Sequence, residues 1–177
     1  MTSNQRQAHS DTGKWMSATG EIEAAHAELA VTIAAIPDVA LDWQPGGDEW
    51  SLKQVIGHLA HANAFYITIV EQARAAGFGT VRLRRGSAGW RRMLATDSAV
   101  AACTTTAGAL DCFEQAYQQA LALLRTLSPD ELDRSFVFRS WQPGAEPVTT
   151  TLRQRVIQAM ADHLREHQAQ LAAVSAR

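Results

Sequence analysis

The sequence predicts an all-α fold, a four-helix bundle, and three observations carry that expectation. Apolar residues recur at three- and four-residue spacing over four long stretches. No sustained run alternates at period two. Two connections are too long for a simple up-and-down chain of neighbouring helices. The chain has 177 residues, is 46% hydrophobic and carries a net charge of −2. That composition suits one domain with a core able to stand without staples. It gives no general pull toward nucleic acid or anionic membrane.

The first stretch carries Trp15, Ala18, Ile22, Ala25, Leu29, Ile33 and Ile36, and Pro37 ends it. The polar residues before it, 1–12, are expected to be a flexible tail ahead of a domain spanning 13–177. The second opens at Ser51 with Gln54 three residues on, a capping-box pattern. It runs through Leu52, Val55, Ile56, Leu59, Tyr66 and Val70 until Gly77 and Gly79 break it. The third is expected from about Ser98 to Leu127, with "SPDEL" after it reading as a cap, a first-turn proline and one extra turn. The fourth starts near Thr150 and carries Leu152, Val156, Met160, Leu164, Leu171 and Val174. "RSFVFRSW" comes closest to period two and reads as an extended loop.

About two dozen residues, rich in Gly and Arg, separate the second and third patterns: "AAGFGTVRLRRGSAGWRRMLATDS". A helix of that length spans about 36 Å, and the extended connection reaches roughly twice as far. It can therefore return along the bundle and leave helices two and three parallel. No segment approaches the roughly 18 apolar residues of a membrane span, and the polar N-terminus lacks a signal-peptide core. Cys103 and Cys112 are nine apart, so on one helix they would point to opposite sides and not bridge. A reducing cytoplasm is the natural setting.

The six histidines can be placed by helical angle. "HLREH" (163–167) puts His163 and His167 on one face of the fourth helix. His58 lies at the edge of the second stripe, His61 nearly opposite it, His26 near the inward face of the first helix and His9 in the tail. Several unpaired buried imidazoles cost too much for packing alone to explain. Read as H-x-x-E-H, the motif matches inverted zincin peptidases, but a further downstream acidic ligand does not fit in the ten residues that follow. A di-iron carboxylate bundle needs two Glu-x-x-His units, and only Glu23–His26 supplies one. What remains is a three-histidine site of His58, His163 and His167 with an open position for water or substrate.

"LDWQPGGDEWSLKQVIGHLAHAN" (41–63) followed by "HLREHQAQL" (163–171) resembles the DinB/YfiT-like superfamily of bacterial four-helix metal proteins. The shared features are the Pro-Gly turn, "EWS" at the start of the second helix, "HLA" beyond it, and H-x-x-x-H in the last helix. The resemblance implies an up-down-down-up bundle with a long crossover between helices two and three. It assigns His58, His163 and His167 as ligands of a divalent metal, zinc or nickel in most members and iron in some. It implies a thiol-dependent transferase or isomerase acting on a small-molecule substrate, with mycothiol or bacillithiol as co-substrate, and a homodimer. The alternative is a metal-binding module that sequesters a reactive compound without turnover.

Two further features belong to the expectation. Arg82, Arg84 and Arg85 gather near Trp90 and read either as a solvated loop or as an anion-binding rim for substrate carboxylates. Nucleic acid is the rival partner for such a cluster, but no binding motif accompanies it. Glu114 falls within the inward stripe of the third helix. It reads as a carboxylate at a bundle end, or as an acceptor for a ligand histidine or base beside metal-bound water. Trp50 reads as a hydrophobic anchor fixing the start of helix two.

Overall fold

The computed structural model describes residues 3–44, 46, 49–140 and 144–175, with side chains described between 19 and 172. The Pro-Gly turn at 45–46, Trp141, and the side chains of His9, Trp15, Ala18 and Val174 lie wholly or partly outside that description. The described chain is dominated by helices: α1 (Ser3–Ala34), α2 (Leu52–Ala75), α3 (Ala88–Ala101), α4 (Thr106–Leu124), α5 (Pro129–Asp133) and α6 (Ala159–Ser175). A π-helical segment, Arg153–Gln158, leads into α6. Three short strands, β1 (Thr80–Arg82), β2 (Ser135–Arg139) and β3 (Val148–Thr151), form one sheet in that order.

Local chemistry sets the helix ends. Pro37 cannot continue α1 and instead caps a single 3-10 turn, Asp38–Ala40. The capping box at the start of α2 forms as expected: Ser51 Oγ accepts from Gln54 N, and Gln54 Oε1 accepts from Ser51 N. Gly77, at φ +56°, takes the left-handed conformation that ends α2. "SPDEL" forms α5 with its own capping box between Ser128 and Glu131. Arg74 then grips the Glu131 carboxylate with Nε at 2.8 Å and a terminal nitrogen at 3.2 Å, holding α5 to the end of α2.

Helix α2 is the centre of the molecule. Its buried residues include Val55, Ile56, Leu59, Ala60, Asn63 and Ile67, which no single stripe can contain. A helix buried on several sides needs partners on several sides, and α2 packs against α3, α4 and α6, while α1 packs against α4 and α6. Ile22, Leu29, Ile33, Phe113 and Tyr117 fill the space between these helices. No helix among the described residues is long and apolar enough to cross a membrane.

Four expectations need correction. The third helical pattern is two helices: α3 ends at Ala101, and α4 starts at Thr106 behind the N-cap Thr105, whose hydroxyl accepts from Gly108 N. Thr106 donates from its backbone to Asp38 and from its hydroxyl to Ile36 O, which fixes the corner against the end of α1. The crossover is not a bare loop, because its Val81 enters a sheet beside Phe138 and its "GWRRMLATDS" forms most of α3. "SFVFR" is likewise a strand, with Phe136 and Phe138 buried, and Thr150 pairs with it instead of starting the last helix. Finally, the sulfurs of Cys103 and Cys112 lie 3.6 Å apart. They share no helix, since Cys103 falls in the α3–α4 corner.

The docking of α3 on α2 depends on Gly89, where a Cβ would overlap the Thr68 side chain. Gly89→Ala should destabilise the protein by about 1–3 kcal/mol, the usual cost of overpacking. Adding Thr68→Ala should recover part of that loss in urea unfolding.

Candidate metal centre

Two helices build the centre. His163 and His167 stand one turn apart on α6, so their rings share a face. His58, two turns into α2, meets them across the helix contact. His163 Nε2 lies 2.9 Å from His58 Nε2 and 3.2 Å from His167 Nε2. The ring planes cross at 80°, 67° and 87°, so the rings meet edge-on instead of stacking. All three donor nitrogens fall within 4.8 Å of one another.

Burial holds the His58 and His163 pKa values down to about 4, and the neighbouring imidazoles add to the effect. Both rings are therefore uncharged at neutral pH, each with one free lone pair. His167 Nδ1 lies 2.8 Å from Gln170 Oε1. An amide oxygen only accepts, so Nδ1 carries a proton, and in the neutral ring Nε2 keeps its lone pair. His163 Nε2 faces both partners, and a proton on it can serve at most one of them. A cation would serve all three. Tetrahedral ligands about 2.0–2.1 Å from zinc stand roughly 3.3 Å apart, close to the two separations from His163 Nε2. The donor set suits a divalent ion that favours imidazole.

A cavity of about 680 Å³ opens beside the centre, lined by Trp50, Gln54, Gly57, His58, His61 and Asp97 among others. His58 thus belongs to both the centre and the cavity wall. Trp50 is 45% exposed and tilts over the His58 ring at 4.8 Å, so it is part of the cavity and not simply an anchor. His61 Nδ1 lies 2.8 Å from Asp97 Oδ2, and Lys53 pairs with Asp42 at 3.0 Å. The expectation that His61 points away from the interior is corrected here. The flank of α2 opposite its main stripe is covered by α3, which brings Asp97 to His61.

The other singled-out residues lie elsewhere. Glu114 contacts His26 Nε2 at 2.9 Å and accepts from Gln118 at 2.7 Å, with neither contact reaching the three-histidine centre. His26 is buried and stacks on Tyr117 at 3.5 Å between ring centroids. Arg82, Arg84 and Arg85 are exposed and do not line the cavity. Sequence reasoning missed Trp50, His61 and Asp97 as cavity residues. His61 follows His58 by three positions, which keeps both on one side of α2, and that spacing was the available signal.

The fold and the centre together define a helical protein with a three-nitrogen site suited to a metal ion. A family model described as the DinB superfamily matches residues 21–171, and the chain belongs to that superfamily. No curated protein and no solved structure matches it significantly.

The depressed pKa values give a pH dependence for the metal-free protein. Between pH 6.5 and about 4, unfolded His58 and His163 bind protons that the folded rings refuse, so stability falls as pH falls through that window. Above 6.5 both states are neutral and the contribution is flat. Urea unfolding of chelator-treated protein should show this slope, and His58→Ala with His163→Ala should flatten it.

Proposed function

We propose that the chain is a metal-dependent enzyme of the DinB type that uses a small thiol to transfer to, or isomerise, a small electrophile. The observation that supports this most is that His58, one of the three clustered histidines, also lines a cavity of about 680 Å³. That volume lies within the range of about 300–1,000 Å³ typical of small-ligand sites. His58, His163 and His167 are the proposed ligands, zinc or nickel the proposed metal, and mycothiol or bacillithiol the proposed class of thiol. The proposed helix order is the up-down-down-up arrangement of the superfamily. When bound, such a metal would hold a thiol sulfur as its thiolate at neutral pH.

The chain's own residues account for the rest. Gln170 orients His167 through Nδ1, and Trp50 shields one side of His58 from water. Asp97 fixes the His61 ring through Nδ1, which leaves Nε2 able to take a proton from a reactant in the cavity. Lys53, the lysine that lines the cavity, already has an anionic partner in Asp42. That favours a compact electrophile over a strongly anionic one. Glu114 would support the fold through His26, and Arg82, Arg84 and Arg85 would form at most an outer rim attracting anions.

The test is product formation by the metal-loaded protein from mycothiol or bacillithiol and a panel of electrophiles. Chelation should abolish turnover while far-UV circular dichroism stays helical, because the core described above does not depend on the ion. His61→Gln should lower turnover by roughly 10²–10⁴-fold, the usual weight of a general base, with metal content unchanged. Stoichiometric binding of the electrophile without product would replace the enzyme by a sequestering module.

A further inference from the structure

Neither the metal centre nor the proposed reaction uses the two thiols of the α3–α4 corner. Cys103 Sγ and Cys112 Sγ are 3.6 Å apart, and both residues are partly accessible. At that separation the sulfurs are already in van der Waals contact, whereas a disulfide needs them about 2.05 Å apart. Rotation of the two side chains is the motion that would close that gap. Cys103 donates to Ala99 O at 3.3 Å, and Gly108, which has no side chain, lies beside its sulfur. The backbone around the pair is meanwhile fixed by the Thr105 cap and by the two bonds from Thr106 to Asp38 and Ile36.

We propose that Cys103 and Cys112 are a modification site for hydroperoxides, closing a reversible intramolecular disulfide that clasps the α3–α4 corner. The chemistry balances in two steps. The Cys103 sulfur attacks the O–O bond of a hydroperoxide, giving a sulfenic acid on Cys103 and releasing the corresponding alcohol, or water from hydrogen peroxide. The Cys112 sulfur then attacks the Cys103 sulfur, the S–O bond breaks, and the hydroxyl leaves with the Cys112 proton as water. Two thiols are oxidised by two electrons, and the peroxide is reduced by two. Cys103 lies in the α3–α4 corner with the bond from its sulfur exposed, which lets it meet the peroxide first, and burial that pushes the Cys112 pKa up suits the resolving role.

The clasp adjoins the cavity. Ala101, two residues before Cys103, lines it, and Val100 lies where a Cβ on Gly57 would contact it at 3.6 Å. Gly57 directly precedes His58. Oxidation therefore ties the last turn of α3, which walls the cavity, to the first turns of α4. The inference stands on the sulfur geometry alone and does not rest on the proposed reaction.

The test treats the reduced full-length protein with stoichiometric hydrogen peroxide and counts thiols after denaturation, alongside intact mass. Both thiols should disappear together, the mass should fall by two hydrogen atoms, peptide mapping should join Cys103 to Cys112, and dithiothreitol should reverse all three changes. Cys112→Ser should instead accumulate sulfenic or sulfinic acid on Cys103, which circular dichroism of the same sample would separate from misfolding. Persistence of both thiols would overturn the proposal. So would oxygen addition to the wild-type protein without cross-linking, or only intermolecular disulfides.

Discussion

His163 Nε2 stands 2.9 Å from His58 Nε2 and 3.2 Å from His167 Nε2, and one proton can bridge only one of those pairs, so the other is left without a hydrogen bond unless a cation lies among the three rings. That constraint explains several features that would otherwise be unrelated. Burial keeps His58 and His163 unprotonated, so the rings cannot escape the conflict by becoming cations, which would repel one another. Gln170 holds the His167 tautomer that adds a third lone pair to the group. The helix contacts of α2 then hold the arrangement in place, because α2 is buried against α3, α4 and α6 and cannot easily shift to relieve it. A divalent cation turns this local conflict into a stabilising interaction.

The same central helix connects the centre to the cavity. Residues of α2 at 57, 58 and 61 line the wall, and α3 completes it with Asp97 and Ala101. His58 and His61 therefore lie on adjoining turns of one rigid element, the arrangement that lets a site keep its geometry. The small sheet has a different role. Val81, Phe136, Phe138 and Thr150 bury its inner face, so the long connections before α3 and before α6 stay close to the helices.

Much of this was legible from residue patterns, and the failures share a cause. The α1 and α2 stripes, the Ser51 capping box, the cap and first-turn proline of "SPDEL" and the His163–His167 face all follow from local spacing and capping chemistry, which the sequence encodes within a few residues. The strands did not, because β1, β2 and β3 are only three to five residues long and β1 pairs with β2 across α3, α4 and α5. The apolar stripe drawn from Ser98 to Leu127 ran through a corner at 102–105. Contacts from Asp38 and Ile36, which no local pattern reports, stabilise that corner. The crossover carries α3, which covers His61, and the corner after it takes Cys103 off the helix of Cys112. Helical angle alone would turn His61 to solvent and put Cys103 on the helix of Cys112.

The central claim is that His58, His163 and His167 together hold one divalent ion, and elemental analysis of purified protein after zinc loading and desalting tests it most directly. The account predicts one ion per chain, with its loss in each of His58→Ala, His163→Ala and His167→Ala. Retention is predicted in His61→Ala and His26→Ala, whose rings pair with Asp97 and Glu114. Full occupancy in His58→Ala, or loss in His26→Ala with the fold intact, would contradict it.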